Sequence, residues 1–487
     1  MKKILHNIFV AILIAPILAS CDLNLLPESA IEMEDGYKTI GDASRLRRGL
    51  YSYFRNANYG TSMLFADVQA DILNTTGSQY QDLYQWLPTM SENYDIRDFW
   101  SRQFGAISQA NSFLDNVGKI EVESDEDRQL LSGYKGEVLL MRAVFYYNLA
   151  IRYMKDYEPE TSNKDLGLPL YLTYDPGAKL ARSTMEETWQ QIYKDVNEAI
   201  ALLPKGGKAM SPWITGDYAY AVKARVALNM HKWDDAIKAA DAIIPRYALA
   251  SSIDDLTNLW IHDTSDEIVL KLFISINEGR KSGMDYIGFG STSKRYFPTL
   301  LPAQWTLDQY EDDDYRRAVY FQKQDIWVSN VKFTDVWLFN KGAGNPIYNT
   351  KPNVPSYVNA PKLFMISEAY LIKAEALARN GRDNESIDVL NALRKARGAS
   401  LLPLGANAFE EVKKERTREM IAEGGRLFDL KRWHMGFSRN SVQPAAEDAV
   451  LKTPNTIELS KKADDKMFVW EIPVNDLKTN DKLVPNW

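Results

Sequence analysis

One thiol is available for chemistry in this chain, and its neighbours say what it is for. Cys21 is the only cysteine among 487 residues. Before it come Lys2 and Lys3, an apolar run from Ile8 to Ala19, and the small-residue approach Leu18-Ala19-Ser20. That order is a charged n-region, an h-region too short and wrongly flanked for a stop-transfer helix, and a cleavage site. Small residues before a cysteine suit a lipoprotein signal peptidase, because the thiol is needed to carry the diacylglycerol. Residues 1–20 are therefore expected to leave as a signal peptide, with Cys21 as a lipidated N-terminus. Each buried methylene of an acyl chain contributes about 0.8 kcal/mol, so two or three chains anchor a soluble domain to a membrane. A lipidated Cys21 can be neither a nucleophile nor half of a disulfide.

Other reactive patterns are sparse. His231, His262 and His434 remain after the signal, and none is paired at metal-ligand spacing. HExxH, GxSxG, P-loop and GxGxxG patterns do not occur. No metal and no other cofactor is expected. A glycosidase needs only two carboxylates, so that activity stays open as an alternative. Glu311-Asp312-Asp313-Asp314 lacks the glycine and spaced oxygens of a calcium loop and reads as a solvated helix face.

The densest polar pattern is Lys414-Glu415-Arg416-Thr417-Arg418-Glu419, then Glu423-Gly424-Gly425-Arg426, then Asp429-Leu430-Lys431-Arg432-Trp433. Arg416, Glu419 and Glu423 share a helix face. Glu419 and Glu423 as acid and base is one reading. A structural lattice of Arg416, Glu419, Glu423 and Arg426, anchored by Trp433, is the favoured one, since opposite charges at this spacing satisfy each other.

These residues need a scaffold. Loss of residues 1–20 leaves 467 residues and moves the formal charge from −7 to −9. An acidic chain without a basic block is a poor nucleic-acid binder, so no nucleic-acid partner is expected. Helical periodicity dominates. It runs through Trp100, Phe104, Ile107, Asn111, Leu114 and Val117, then through Leu131, Tyr134, Val138, Met141 and Phe145. Trp189, Ile192, Val196, Ala199, Ile200 and Leu203 line a third helix, with capping boxes offered by Ser183/Glu186 or Thr184/Glu187. Two stretches, around Ala224 to Ile244 and Tyr370 to Arg397, read as degenerate tetratricopeptide-like hairpins whose alanines allow close helix approach. Between them lie aromatic-rich irregular segments, residues 71–97 and 277–360.

With these elements placed, the chain resembles the SusD/RagB family of outer-membrane nutrient-binding lipoproteins of Bacteroidetes. The resemblance rests on an ordered set: the Cys21 lipobox; Trp100 to Asn111; Gly136-Glu137-Val138 to Tyr147; Ser367-Glu368-Ala369-Tyr370-Leu371-Ile372-Lys373-Ala374-Glu375-Ala376; Leu390-Asn391 to Arg394 with Arg397-Gly398; and Glu415-Arg416 through Glu423-Gly424, Arg426, Asp429-Leu430 and Arg432-Trp433. It implies a mainly α fold, a tetratricopeptide-like scaffold with a loop-rich ligand-binding side. The implied organisation is a lipidated tether at 21–44, an N-terminal region at 45–250 and an interlocked C-terminal region at 251–487. It implies glycan capture rather than catalysis and a SusC-like TonB-dependent transporter as partner. It also implies an outer-membrane location, lipid-anchored and facing the cell exterior. The alternatives are a peptide-binding RagB-type lipoprotein and a surface glycoside hydrolase.

The ligand is expected between segments 71–97 and 277–300. Trp86 is the first stacking platform, with Tyr80, Tyr84 and Tyr286 as further surfaces and Asp71 and Asn74 as hydrogen-bonding groups. The stretch from Trp327 to Tyr348 is the fallback.

Overall fold

The protein is described here by a computed structural model. It covers residues 35–77, 81–87, 92–278, 287–450 and 459–487. Cys21, Tyr80, Tyr286 and the signal segment lie outside the described residues.

The first long helix is Ile40–Ala57, set by a capping box in which Thr39 and Asp42 satisfy each other's backbone N–H groups. It starts inside the 21–44 stretch expected from sequence to be tether. Tyr94–Asn116 and Asp125–Tyr153 then pack together. Between the two signals offered for the next helix, Met185–Leu202, the fold uses Thr184/Glu187. Gly136 lets this helix approach the preceding one, since a Cβ there would meet Leu203 Cγ at 3.0 Å and the Ala199 carbonyl at 3.3 Å. One buried ion pair fixes the three helices. Arg142 donates to both oxygens of Asp195, at 2.7 and 2.8 Å, and to Asn111 Oδ1 at 2.9 Å.

Two helical hairpins follow, Gly216–Asn229 with Trp233–Asp241 and Ile366–Arg379 with Asp383–Ala396. Ala224, Ala227, Ala236, Ala240 and Ala374 are all fully buried where the helices meet. Gly381 turns the second hairpin with φ +71°, a conformation that costs glycine nothing. The fold is thus mainly α, with short sheets inserted between repeats. Leu73–Thr75 pairs antiparallel with Leu300–Pro302, and the hairpin Phe321–Val328/Val331–Phe339 forms the largest sheet with two short strands.

The polar C-terminal pattern forms buried ion pairs, but Arg416, Glu419, Glu423 and Arg426 do not pair with one another as a lattice. Arg416 pairs within the segment, and the other three reach across the fold. Arg416 bonds Asp429 at 2.7 Å, Glu419 bonds Arg397 at 2.6 Å and Arg316 at 3.0 Å, and Glu423 bonds Lys341 at 2.5 Å. Trp433 is buried, its indole N–H on Glu375 at 2.9 Å. The acidic run at 311–314 is only partly a solvated face, with Asp312 and Asp313 exposed. Asp314 is buried and grips Arg316 at 2.7 Å, while Glu311 holds Arg394 and the Ser400 N–H. What linear order does not show is that Arg316 is itself buried against Glu415 and Glu419, and that Arg394 reaches Glu311 from the 383–396 helix.

Candidate functional site

The pairing of Leu73–Thr75 with Leu300–Pro302 brings Asp71 beside the short helix Gln304–Leu307. Ala303 N–H donates to the Ile72 carbonyl at 2.9 Å, and the Trp305 indole N–H donates to the Asp71 carbonyl at 2.9 Å. A strap from residues 438–446 closes the arrangement. Ser441 Oγ accepts from Trp305 N–H at 2.7 Å, and its carbonyl accepts from Asn74 Nδ2 at 2.9 Å. Arg426 reaches in from the first turn of its helix and clamps both Asp71 oxygens, at 2.8 and 3.0 Å. Its guanidinium lies 5.5 Å from the Trp305 ring centroid.

The result is a shallow depression of about 430 Å³ lined by Asp71, Trp305, Arg426, Ser438, Asn440 and Ser441. Its chemistry is a half-buried indole face beside a fixed charge pair, with hydroxyl and amide groups at the edge. A flat ligand with an apolar face and many hydroxyls matches that combination. The same strap positions a second tryptophan. Gln443 accepts from Trp337 N–H at 2.9 Å and donates to the carbonyls of Trp337 and Pro302 at 3.0 and 2.9 Å. Trp337 and Gln304 line a neighbouring depression of about 250 Å³ with Asp308 and Arg317.

Of the residues singled out from sequence, Asp71 lines the depression and Asn74 supports its strap. Tyr84 and Trp86 take a different role. Tyr84 is 1 % exposed, under the Arg439 guanidinium at 4.0 Å from its ring centroid. Trp86 is 4 % exposed and sits among Phe437, Phe468 and Lys461. Neither buried ring offers a face to a sugar, so they pack the loop in place. Tyr80 and Tyr286 lie outside the described residues. Trp305, Arg426 and the 438–441 strap were not singled out as ligand contacts. For Trp305 the available signal was an aromatic beside the Pro302 turn. For the strap it was the polar run Ser438-Arg439-Asn440-Ser441.

Arg439 holds the strap in place. It donates to the carbonyls of Ala70 at 2.7 Å, Gln69 at 2.6 Å and Val68 at 3.1 Å, and to that of Tyr84. Burial lowers its pKa to about 10, against the opposing pull of Tyr84 and Asp71, which leaves it charged at neutral pH. One cation thereby ties the 68–84 segment to the strap.

Comparison with known proteins agrees with this architecture. Residues 42–228 match a family described as SusD-like, "Starch-binding associating with outer membrane", and residues 303–487 match the SusD family. The chain belongs to the SusD/RagB family. It is 24% identical to a SusD-like protein, P38, of Formosa agariphila, over 89% of this chain and 92% of that one. A SusD superfamily protein from Bacteroides thetaiotaomicron superposes with TM-score 0.78 at 22% identity, covering 92% of this chain and all of its own. A structure titled a putative sugar binding protein, from Bacteroides vulgatus, gives TM-score 0.77 at 19% identity over 93% and 99% of the two chains. No helix among the described residues is long and apolar enough to cross a membrane.

Proposed function

We propose that this chain is a cell-surface lipoprotein that holds a glycan in the Trp305–Arg426 depression and delivers it to a SusC-like TonB-dependent transporter. The observation that carries the reading is the half-buried Trp305 ring set beside a preorganised Asp71–Arg426 pair. Sugar rings present C–H faces to aromatic groups and hydroxyls to fixed charges, so a preorganised site of this kind lowers the ordering cost of binding. Family membership and the sugar-binding title of a structural neighbour support the same ligand class.

Capture rather than hydrolysis fits the residues. Asp71 is the carboxylate that lines the depression, and Arg426 occupies both its oxygens. A glycosidase needs two carboxylates facing one another across the scissile bond, one of them free to give a proton.

If Trp305 is the platform, Trp305→Ala weakens glycan binding by about 1–3 kcal/mol with a small change in melting temperature. Isothermal titration measures this. Unchanged affinity moves the site to Trp327 or Trp337.

The anchor has its own test. Cys21→Ala is expected to abolish incorporation of a fatty-acid analogue in cells, because no other residue can form the thioether. Label retained in that variant contradicts lipidation at Cys21.

A further inference from the structure

A second cluster lies apart from the sugar depression and shares none of its lining residues. Asp156 and Glu158 follow the end of the Asp125–Tyr153 helix, and His434 follows the Arg426–Arg432 helix. One ligand-type atom from each of Asp156, Glu158 and His434 lies within 4.8 Å of the others. They sit in a cleft of about 570 Å³ bordered by Lys155, Phe468 and Trp487.

Two buried polar atoms here are orphaned. Asp156 Oδ2 has no hydrogen-bond partner, and neither has Nε2 of His231. Asp156, Glu158 and His434 are among the charged groups that act on His231. The adjacent cation, Lys431, is spent on the carbonyls of Ile151 and Met154, at 2.6 and 2.8 Å. Buried polar groups are nearly always satisfied, and a bound ion is a recognised reason for an exception.

We propose that Asp156, Glu158 and His434 form a binding site for a divalent transition-metal ion of the zinc class. An imidazole with two carboxylates suits such an ion better than calcium, which prefers an all-oxygen shell. The imidazole is already oriented as a ligand. His434 Nδ1 lies 2.7 Å from Asp464 Oδ1, the carboxylate–histidine contact that fixes the ring when its other nitrogen holds a metal. That other nitrogen, Nε2, lies 2.8 Å from Glu158 Oε1, and the ion replaces this hydrogen bond by bonds to both groups. His434 and Glu158 are 41% and 39% exposed, so small rotations can bring them to zinc bond lengths of about 2.0–2.2 Å. The ligands stand at positions 156, 158 and 434, which is why linear spacing conceals them. The ion would staple the end of a long scaffold helix to the C-terminal region.

The test uses tag-free protein comprising residues 22–487, freed of metal with chelator and titrated with zinc chloride. One site is expected. His434→Ala and Asp156→Asn should each weaken it about tenfold or more, and Asp464→Asn about tenfold through lost orientation of the ring. Zinc should raise the melting temperature of the native protein and not that of His434→Ala. Cobalt in place of zinc should give a ligand-field absorption that the same variants lose. His434 is at the surface, so its alanine variant tests the site even if Asp156→Asn fails to fold. Absence of zinc binding, or binding unchanged in His434→Ala, overturns the assignment.

Discussion

Gly424→Ala is expected to yield no stable folded protein, a loss of more than about 4 kcal/mol, whereas Gly425→Ala changes stability by less than about 1 kcal/mol. Gly424 has φ +77°, and a Cβ there would fall inside the van der Waals surface of the Met63 carbonyl oxygen. The Met63 side is backbone and cannot rotate away. The same turn holds a buried carboxylate. Asp67 accepts from Gly424 N–H at 2.8 Å and Arg426 N–H at 2.9 Å, so displacing the turn strips both donors from it. It also shifts Arg426, which clamps Asp71 in the depression. Nothing lies within 4 Å of a Cβ at Gly425, and its φ is −109°. Thermal melts of the two variants, or the yield of soluble protein, separate them. Equal stability would show that the turn is more pliable than its contacts imply.

Glu419→Gln is the second large effect, expected to destabilise by about 3–5 kcal/mol because it removes one of the carboxylates shared by two buried guanidinium groups, leaving Arg397 to Glu267 and Arg316 to Asp314 and Glu415. Glu419 is 2 % exposed and accepts two hydrogen bonds from Arg397, at 2.6 and 3.1 Å, and one from Arg316 at 3.0 Å. Burial on its own raises its pKa. The charge and hydrogen bonds of Arg397, then the charges of Arg316 and Lys341, outweigh burial and hold it at about 2. Glu375 is held at about 2 in the same way, with Arg432 as the main opposing charge. These carboxyls bind their protons less readily folded than unfolded. Their stabilisation is therefore complete above the unfolded value of about 4.3 and is lost as pH falls toward 2.

Glu423 and Asp67 act in the opposite sense. Burial raises Glu423 to about 7 despite Lys341, and raises Asp67 to about 6 despite the donors from Arg426 and Gly424. A raised carboxyl costs stability as pH climbs from the unfolded value through the folded one. The native protein should therefore gain stability on going from about pH 8 to pH 5 and lose it below about pH 4. Glu423→Gln should flatten the upper limb, and Glu419→Gln should flatten the lower one. Urea melts across that range measure both. A profile that falls steadily from pH 8 downward would contradict the assignment for Glu423 and Asp67.

The helices were legible in sequence because their information is local. A three-and-four apolar spacing fixed the 94–116 and 185–202 helices, and the Thr184/Glu187 box needed only a choice between neighbours. The candidate depression was legible in part. Asp71 stood out as a polar residue in an aromatic loop, and it lines the depression. Trp86 looked equally apt, but its exposure is decided by Phe437 and Phe468, some 350 positions away in the chain. No local pattern distinguishes an aromatic that packs a loop from one that faces outward. Arg426 appeared to belong to a helix-face lattice because Arg416 and Glu419 precede it at helical spacing. That helix ends at Glu419, and a turn through Gly424 starts a new helix at Arg426 that directs it to Asp71. Within Glu311 to Asp314, Asp312 and Asp313 are exposed as expected, but Asp314 is buried because its partner Arg316 also holds Glu415 and Glu419 some 100 positions away.

The most direct test of glycan capture is to screen tag-free protein comprising residues 22–487 on a combined glycan and peptide array, beside Trp305→Ala. The account predicts binding to one or a few glycans, lost or strongly weakened in Trp305→Ala, with no peptide retained. Peptide binding without glycan binding, or glycan binding indifferent to Trp305, would contradict it.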